Sequence, residues 1–114
     1  MTPTRLSLRI SSIFFAIGFL VPGVASAADL SPREAFVFES ICLNCHARPD
    51  IGVPLIGDEA EWERRRSGGI EPLMTHTVEG YLGMPPLGGC SFCSEEELRR
   101  LVSLLSNTPV EPAP

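Results

Sequence analysis

The sequence contains no lysine: its 9 basic residues are all arginines, and they stand against 14 aspartates and glutamates. Proteins that bind nucleic acids or anionic membranes present clustered positive charge, because both of those surfaces carry phosphate. A lysine-free, acidic chain therefore argues against nucleic acid or an anionic membrane surface as a partner. It favours a protein partner whose docking face is positive or neutral.

A long hydrophobic run is also missing. The apolar stretch at residues 13–25 is shorter than the ~20 residues that a membrane-spanning helix needs. Arg5 and Arg9 precede it, and Ala25-Ser26-Ala27 follows it with the small residues of a signal-peptidase site. We predict a cleaved signal peptide at residues 1–27 and a periplasmic protein of net charge 7 − 14 = −7, because the two leader arginines are lost. The alternative, an uncleaved anchor, is disfavoured because a Pro-Gly pair interrupts the run.

The alternating valine and isoleucine pattern of β-strands is absent, and the chain instead carries the signals of short helices. Ser31 and Ser94 each precede a glutamate at the third helical position, which is the arrangement of a capping box, and Asp58 has the same signature. Residues 70–78 form a further helical stretch. The last predicted helix has an apolar stripe, formed by Leu98, Leu101, Val102 and Leu105. Four short helices bury little surface alone, so this pattern predicts an all-α fold with something apolar at its centre.

The motif Cys42-Leu43-Asn44-Cys45-His46 has the C-x-x-C-H spacing of covalent haem attachment. Two thiols on adjacent helical turns can each form a thioether with one vinyl group of the same porphyrin. The histidine that follows is then held below the ring, where a neutral imidazole nitrogen can bind the iron. The motif predicts haem c as the cofactor, attached at Cys42 and Cys45, with His46 as an iron ligand.

Three other interpretations of the cysteines are open. A thioredoxin-like redox pair also uses C-x-x-C, but it belongs to an α/β sequence with strong strands, which this chain does not have. A zinc site could use Cys42, Cys45, Cys90 and Cys93, but 44 residues separate the two C-x-x-C pairs, against about 15–20 in a zinc ribbon. The third interpretation is two plain disulfides, which would persist in an oxidising compartment.

The iron needs a sixth ligand or an open site, and the chain beyond the leader offers Met74, His76 and Met84. Met84 lies in an irregular Gly-Met-Pro-Pro segment, where proline stiffens the backbone and glycine permits close approach to a flat ring. His76 lies within a predicted helix, where a structural role is more common. We therefore predict Met84 as the sixth ligand, with core packing as its alternative role.

These motifs together resemble the short bacterial class I cytochromes known as cytochrome c5. The resemblance covers residues 31–105, and its most specific part is the C-x-x-C pair that closes the methionine loop. The matching segments are Phe38-x-x-x-Cys42-x-x-Cys45-His46, Pro54-x-Ile56-Gly57-Asp58, Trp62, His76, Gly80-Tyr81-x-Gly83-Met84-Pro85-Pro86 and Gly88-Gly89-Cys90-x-x-Cys93.

The resemblance implies the arrangement around the iron. Cys42 and Cys45 carry the thioethers, and His46 and Met84 bind the metal. The carbonyl of Pro54 accepts a hydrogen bond from the second ring nitrogen of His46, which would fix the imidazole and raise its basicity.

The resemblance also implies roles for residues around the haem. Trp62 would pack near the haem edge, with its indole N–H on a propionate or simply as part of the core. Cys90 and Cys93 would form a disulfide that shapes the end of the methionine loop, a reactive dithiol being the alternative.

One residue departs from the family pattern, and the role of one arginine cluster stays open. Glu34 occupies a position where the family usually has the glycine at which the terminal helices cross, so either Ala35 provides the close approach or the crossing is shifted. The three arginines at 64–66 either reach a haem propionate or form a solvated helix face.

The resulting prediction is a cytochrome c domain at residues 28–106, in which the first and last helices cross beside one covalent haem. The signal peptide precedes this domain, and a flexible proline-rich tail at 107–114 follows it. The protein would carry single electrons between a donor and an acceptor protein, without enzymatic activity, as a monomer or weak dimer that contacts a membrane complex at most transiently. Two rival functions are a fixed relay subunit of a larger oxidoreductase and a sensor with five-coordinate haem.

Overall fold

The computed structural model describes Gly18 and residues 23–110, and most of the predicted signal peptide lies outside them. Within these residues the structure is helical, and the single β-bridge joins Tyr81 to Met84. The all-α fold is confirmed. The α-helices are α1 (Pro32–Val37), α2 (Leu43–His46), α3 (Glu59–Arg65), α4 (Ile70–Glu79) and α5 (Glu95–Ser106). A π-helical segment (Phe38–Cys42) joins α1 to α2, and 3-10 turns occupy Ala27–Asp29 and Pro86–Gly89.

The helix starts follow the predicted caps. Ser31 and Ser94 each accept a hydrogen bond from the backbone N–H of the glutamate three residues later, and that glutamate bonds back to the serine N–H. Asp58 likewise accepts a bond from the N–H of Glu61. Each such cap satisfies a backbone donor that the helix itself cannot pair, and contributes about 1 kcal/mol. The ends of these short helices are therefore fixed by local sequence.

The core lies between α1, α4 and α5. The predicted stripe of α5 turns inward, since Leu98, Leu101 and Leu105 are buried and Val102 packs against them. They meet Val37 and Phe38 from the first helical segment and a cluster from α3 and α4, namely Trp62, Ile70, Leu73 and Met74. The segment that carries the C-x-x-C-H motif therefore extends directly from this core.

Glu34 gives α1 a polar contact with α5 where the family pattern has glycine. Its side chain is buried, with the residue 3% exposed, and its carboxylate accepts bonds from the guanidinium of Arg100 and from the backbone N–H of Ser31. The Arg100 Nε lies 2.7 Å from Oε1 of the glutamate. The first and last helices are thus joined by a buried carboxylate with charged and neutral donors.

The first residues of the predicted tail, 107–110, pack against α5. Thr108 is 2% exposed, its carbonyl accepts a bond of 2.6 Å from the Ser103 hydroxyl, and its own hydroxyl lies 2.8 Å from that of Ser106. Asn107 adopts a left-handed conformation that turns the chain back along α5. Buried side-chain hydrogen bonds therefore hold the start of the tail, which composition alone does not indicate. Residues 111–114 lie outside the described part of the chain.

The last residues of the predicted signal peptide also contact α5. The N–H of Ala25 donates to the Ser103 hydroxyl at 3.1 Å, and the carbonyl of Gly23 accepts from the N–H of Val110 at 3.3 Å. Cleavage after residue 27 would remove both bonds. Among the described residues, no helix combines the length and the apolar character that a membrane span requires.

Candidate functional site

The two cysteines of the C-x-x-C-H motif lie where the π-helical segment gives way to α2. The N–H of Leu43 bonds to the carbonyl of Phe38, five residues earlier, so the helix takes one wide turn before it tightens. Such π-turns occur frequently at functional sites. Cys42 is half-buried, Cys45 is exposed, and neither is in a disulfide. Burial raises the pKa of the Cys42 thiol, because the thiolate would lose solvation there.

The imidazole of His46 is fixed by the backbone of the next segment. Its Nδ1 lies 2.6 Å from the carbonyl oxygen of Pro54, and its own carbonyl accepts a bond of 2.8 Å from the N–H of Ile56. A carbonyl oxygen can only accept, so Nδ1 carries the proton and the lone pair is on Nε2. The ring is largely buried, with the residue 8% exposed. His46 therefore presents one available nitrogen, in the tautomer that a metal requires.

Trp62 lies beside this histidine, as part of the core. The two ring centroids are 6.0 Å apart, and Trp62 is buried. Its indole N–H donates to the carbonyl of Leu55 at 2.7 Å. In this structure the single donor of the indole is thus directed at the backbone of the segment that also holds His46.

The arginines at 64–66 are paired with carboxylates of their own helix. Arg64 and Arg65 both contact Glu61, and their side chains are 73% and 37% exposed. Arg66 pairs with Glu59 and donates to the carbonyl of Ser106 at 3.0 Å, which joins α3 to the end of α5. Of the two roles considered for these arginines, the surroundings of the first two correspond to a solvated helix face. The third has a structural contact that the sequence pattern does not indicate.

Met84 closes a tight turn after α4. The N–H of Tyr81 bonds to the carbonyl of Met84 at 3.1 Å, and the N–H of Met84 bonds to the carbonyl of Tyr81 at 2.9 Å. Gly80 permits this fold, since a Cβ there would lie 3.0 Å from the Met84 carbonyl oxygen and from the Pro86 nitrogen, and its φ is +83°. A Cβ on Gly88 would come within 3.2 Å of the Met84 methyl group. The Met84 carbonyl thus lies close to Gly80 and the methyl group of its half-buried side chain lies close to Gly88, and both close approaches need glycine.

The methionine loop packs against the segment that carries Cys42. The 3-10 turn at Pro86–Gly89 contacts the π-helical segment. The methyl group Cγ2 of Ile41 lies 3.8 Å from the position that a Cβ of Gly89 would take. The loop then ends in a disulfide between Cys90 and Cys93, with a Cα–Cα distance of 5.4 Å, and Ser94 begins α5 directly after it. The C-x-x-C-H motif and the methionine loop therefore lie on adjoining segments.

The other two candidate ligands have different surroundings. Met74 lies on α4 and is buried in the hydrophobic core of the protein. His76 is exposed on α4, where its ring stacks on that of Tyr81 with the centroids 3.9 Å apart and the planes 12° apart. Sequence reasoning missed this pair, although an aromatic residue five positions after a helical histidine and just past a glycine could have suggested it.

The residues present fit a covalently attached haem. Two thiols one helical turn apart are unpaired, while the other two cysteines are bonded to each other and so cannot complete a zinc site. The described residues hold no cluster of three or more His, Cys, Asp or Glu side chains suited to a metal. A lone imidazole nitrogen and a half-buried thioether are instead the donors that complete a haem iron.

Comparison with known proteins finds relatives among the c-type cytochromes. Residues 32–105 match the sequence model of the family described as "Cytochrome C oxidase, cbb3-type, subunit III". The chain is 37% identical to cytochrome c5 of Ectopseudomonas mendocina over 86 residues, which cover 74% of this chain and 91% of that protein. It is 33% identical to cytochrome c5 of Azotobacter vinelandii, covering 61% of this chain and 87% of that one.

A solved structure gives the same result at the level of the fold. It is titled "Crystal structure of electron transfer complex of nitrite reductase with cytochrome c" and matches 68% of this chain and 95% of its own chain, with a TM-score of 0.60 and 29% identity. Cytochromes c of this family bind covalently attached haem c, which contains iron, and are electron carriers. The chain belongs to the cytochrome c5 family of class I c-type cytochromes, which transfer electrons through a single haem.

Proposed function

We propose that this chain is a periplasmic electron carrier whose haem is attached at Cys42 and Cys45 and whose iron is bound by His46 and Met84. The observation that supports this most strongly is the bond between His46 Nδ1 and the Pro54 carbonyl. It leaves Nε2 as the one available donor of a buried, oriented ring. The location in the periplasm rests on the signal-peptide pattern of residues 1–27.

Each of these residues has a distinct task. Two thioether bonds would hold the porphyrin permanently, so that the carrier cannot lose its cofactor outside the cytoplasm. His46, held by Pro54, would bind the iron from one side with raised basicity. Met84 would bind from the other side, where a thioether favours the electron-rich ferrous form and raises the potential. When bound, the haem supplies one-electron chemistry through its ferric and ferrous states.

The surface charge indicates the kind of partner. The chain without its leader has a formal charge of −7 and no lysine, so a partner with a positive or neutral docking face would be attracted or tolerated. The structural neighbour was crystallised as an electron transfer complex with nitrite reductase, which supports oxidoreductases as the class of partner. The encounter would be transient, with the protein a monomer or weak dimer.

A fixed relay subunit is the second candidate function, and the family description favours it. The matched sequence model is named after a subunit of a cytochrome oxidase. A relay subunit would remain with its complex through purification under mild conditions, whereas a diffusing carrier would elute alone. Size-exclusion chromatography of the native exported protein separates the two.

The absorption spectrum of the exported, haem-loaded protein tests the iron ligation. We expect a sharp c-type spectrum after reduction and a weak far-red sulfur-to-iron band when oxidised, with no response to carbon monoxide. A high-spin spectrum that shifts on adding carbon monoxide would contradict Met84 ligation and favour the five-coordinate sensor.

A further inference from the structure

The exposed stack of His76 on Tyr81 joins α4 to the turn that carries Met84. The ring centroids are 3.9 Å apart and the planes are nearly parallel, at 12°. His76 is exposed, and Tyr81 is 44% exposed. Neither ring is part of the buried core, so the contact is not a consequence of core packing. It spans the end of the helix, because the C-cap Gly80 lies between the two residues.

Tyr81 is in turn bonded directly to Met84. Its backbone N–H and carbonyl both pair with those of Met84, at 3.1 and 2.9 Å, so the two residues form the base of one turn. Any displacement of the Tyr81 backbone would therefore move the Met84 backbone with it. A side-chain contact that holds Tyr81 in place therefore also helps to hold the Met84 backbone in place.

The turn itself has a conformation that needs support. Leu82, at its tip, has a φ of +53° and is 90% exposed. A left-handed conformation is unfavourable for leucine, and this side chain gains no burial in return. The turn is thus held by contacts at its base rather than by its own sequence. The His76 ring is a side chain of α4 that reaches this base.

We propose that His76 is a positioning residue: by stacking on Tyr81 it holds the turn that presents the Met84 thioether to the haem iron. This inference rests on the proposed His46 and Met84 ligation. Loss of the stack would let the turn open more often, so that the iron–sulfur bond is broken in a larger fraction of molecules. An added ligand that competes with Met84 would then bind more readily.

The experiment uses the full haem-loaded protein and three variants of α4. His76→Ala removes the stack, and His76→Phe keeps a flat ring at the same position. Thr75→Ala is the matched control, because it also replaces an exposed, weaker helix former with alanine on the same helix. The measurements are the far-red sulfur-to-iron band of the oxidised protein, its midpoint potential, and its apparent affinity for added imidazole.

We expect His76→Ala to bind imidazole about two- to tenfold more tightly than the parent protein, the range that the loss of one aromatic contact gives. Its far-red band should weaken and its potential should fall. His76→Phe should restore all three values, and Thr75→Ala should leave them unchanged. A role in general stability alone would not move the imidazole affinity in this pattern.

Tyr81→Leu provides a test from the other side of the contact. It should have the same effect as His76→Ala, and the double variant should be no worse than Tyr81→Leu alone, because both changes remove one interaction. If His76→Ala matches Thr75→Ala in imidazole affinity, or if the two changes simply add, the inference is overturned. If the parent protein itself lacks the far-red band, Met84 ligation fails first and the inference is overturned with it.

Discussion

The two sides of the proposed iron site are held in different ways. On the histidine side, three consecutive residues bond to His46 or to the neighbouring Trp62. Pro54 accepts from the His46 ring, Leu55 accepts from the Trp62 indole, and Ile56 donates to the His46 carbonyl. The three bonds are 2.6, 2.7 and 2.8 Å long, and the first two are partly buried. The imidazole is therefore held in place by the protein fold itself.

The methionine side depends on a turn at the surface. Met84 is half-buried, and the residues before it include a fully exposed leucine with a left-handed backbone. Its supports are one backbone pair, two glycine-dependent close approaches and the exposed ring stack. If both residues bind the iron as proposed, His46 would be the fixed ligand and Met84 the ligand that dissociates first.

The largest effect is expected on the histidine side. His46→Ala removes the ligand that the fold holds in advance, so we expect loss of the low-spin c-type spectrum and of most haem-loaded protein. Haem staining and absorption spectra of the exported protein measure both. His76→Phe is the matched control, since the chain has only 2 histidines and the second should tolerate this change. A normal reduced spectrum from His46→Ala would show that His46 is not the fixed iron ligand.

Replacing the methionine should have a smaller and different effect. We expect Met84→Ala to retain attached haem, because both thioethers and His46 remain, but to become high-spin, to bind carbon monoxide and to lose the far-red band. Its potential should fall, within the about 0.8 V range that axial ligands span.

Met74→Ala is the control for this prediction. Met74 is buried in the core, so its loss should cost about 2–5 kcal/mol of stability while the far-red band remains. Loss of the band in Met74→Ala, with retention in Met84→Ala, would reverse the assignment of the two methionines.

Glu34→Gln should lower the stability of the whole fold rather than of one side of the iron site, because α1 leads to the histidine and α5 follows the methionine loop. The pKa of Glu34 is lowered chiefly by the hydrogen bond from the Ser31 backbone, with Arg100 adding to the effect. A lowered pKa stabilises the folded protein above the ordinary pKa of glutamate, about 4.3, and this stabilisation is lost as the pH falls through the lowered value.

We therefore expect Glu34→Gln to lower the free energy of unfolding by about 1–3 kcal/mol at neutral pH, with an unchanged visible spectrum. The difference from the parent protein should shrink as the pH falls below the ordinary pKa of glutamate and through the lowered pKa of Glu34, where the parent carboxylate also becomes neutral. Denaturant titrations at pH 7 and at pH 3 to 4 measure this. A constant difference across that range would mean that the charge of Glu34 contributes nothing.

The features that the sequence predicted well depend on near neighbours. The capped helix starts at Ser31, Asp58 and Ser94 depend on hydrogen bonds three residues along the chain, and a sequence pattern records such contacts directly. The inward stripe of α5 follows from helical periodicity. The bond of His46 to Pro54 was reached only through the family resemblance, because no pattern indicates which carbonyl a ring nitrogen will meet.

The features that the sequence did not predict depend on distant residues or on competition between partners. Glu34 and Arg100 are 66 positions apart, so the buried pair at the helix contact is invisible until the chain folds. The indole N–H of Trp62 donates to the Leu55 carbonyl, a partner that the sequence pattern does not indicate. Thr108 is polar and lies in a proline-rich tail, yet it is buried and hydrogen-bonded to two serine hydroxyl groups of α5. Local composition describes none of these outcomes.

The smallest expected effect concerns the tip of the methionine turn. Leu82→Asn replaces a leucine in a left-handed conformation with a residue that tolerates it, and the exposed leucine side chain has no burial to lose. We expect the free energy of unfolding to rise by up to about 1 kcal/mol and the imidazole affinity to fall slightly, because a relaxed turn holds Met84 more firmly. Leu87→Asn is the contrasting variant, since Leu87 also has a positive φ but packs against the core and should lose stability. If Leu82→Asn instead binds imidazole more tightly, the leucine side chain stabilises the turn despite its exposure. The methionine side of the iron site would then have a support that the contacts described above do not include.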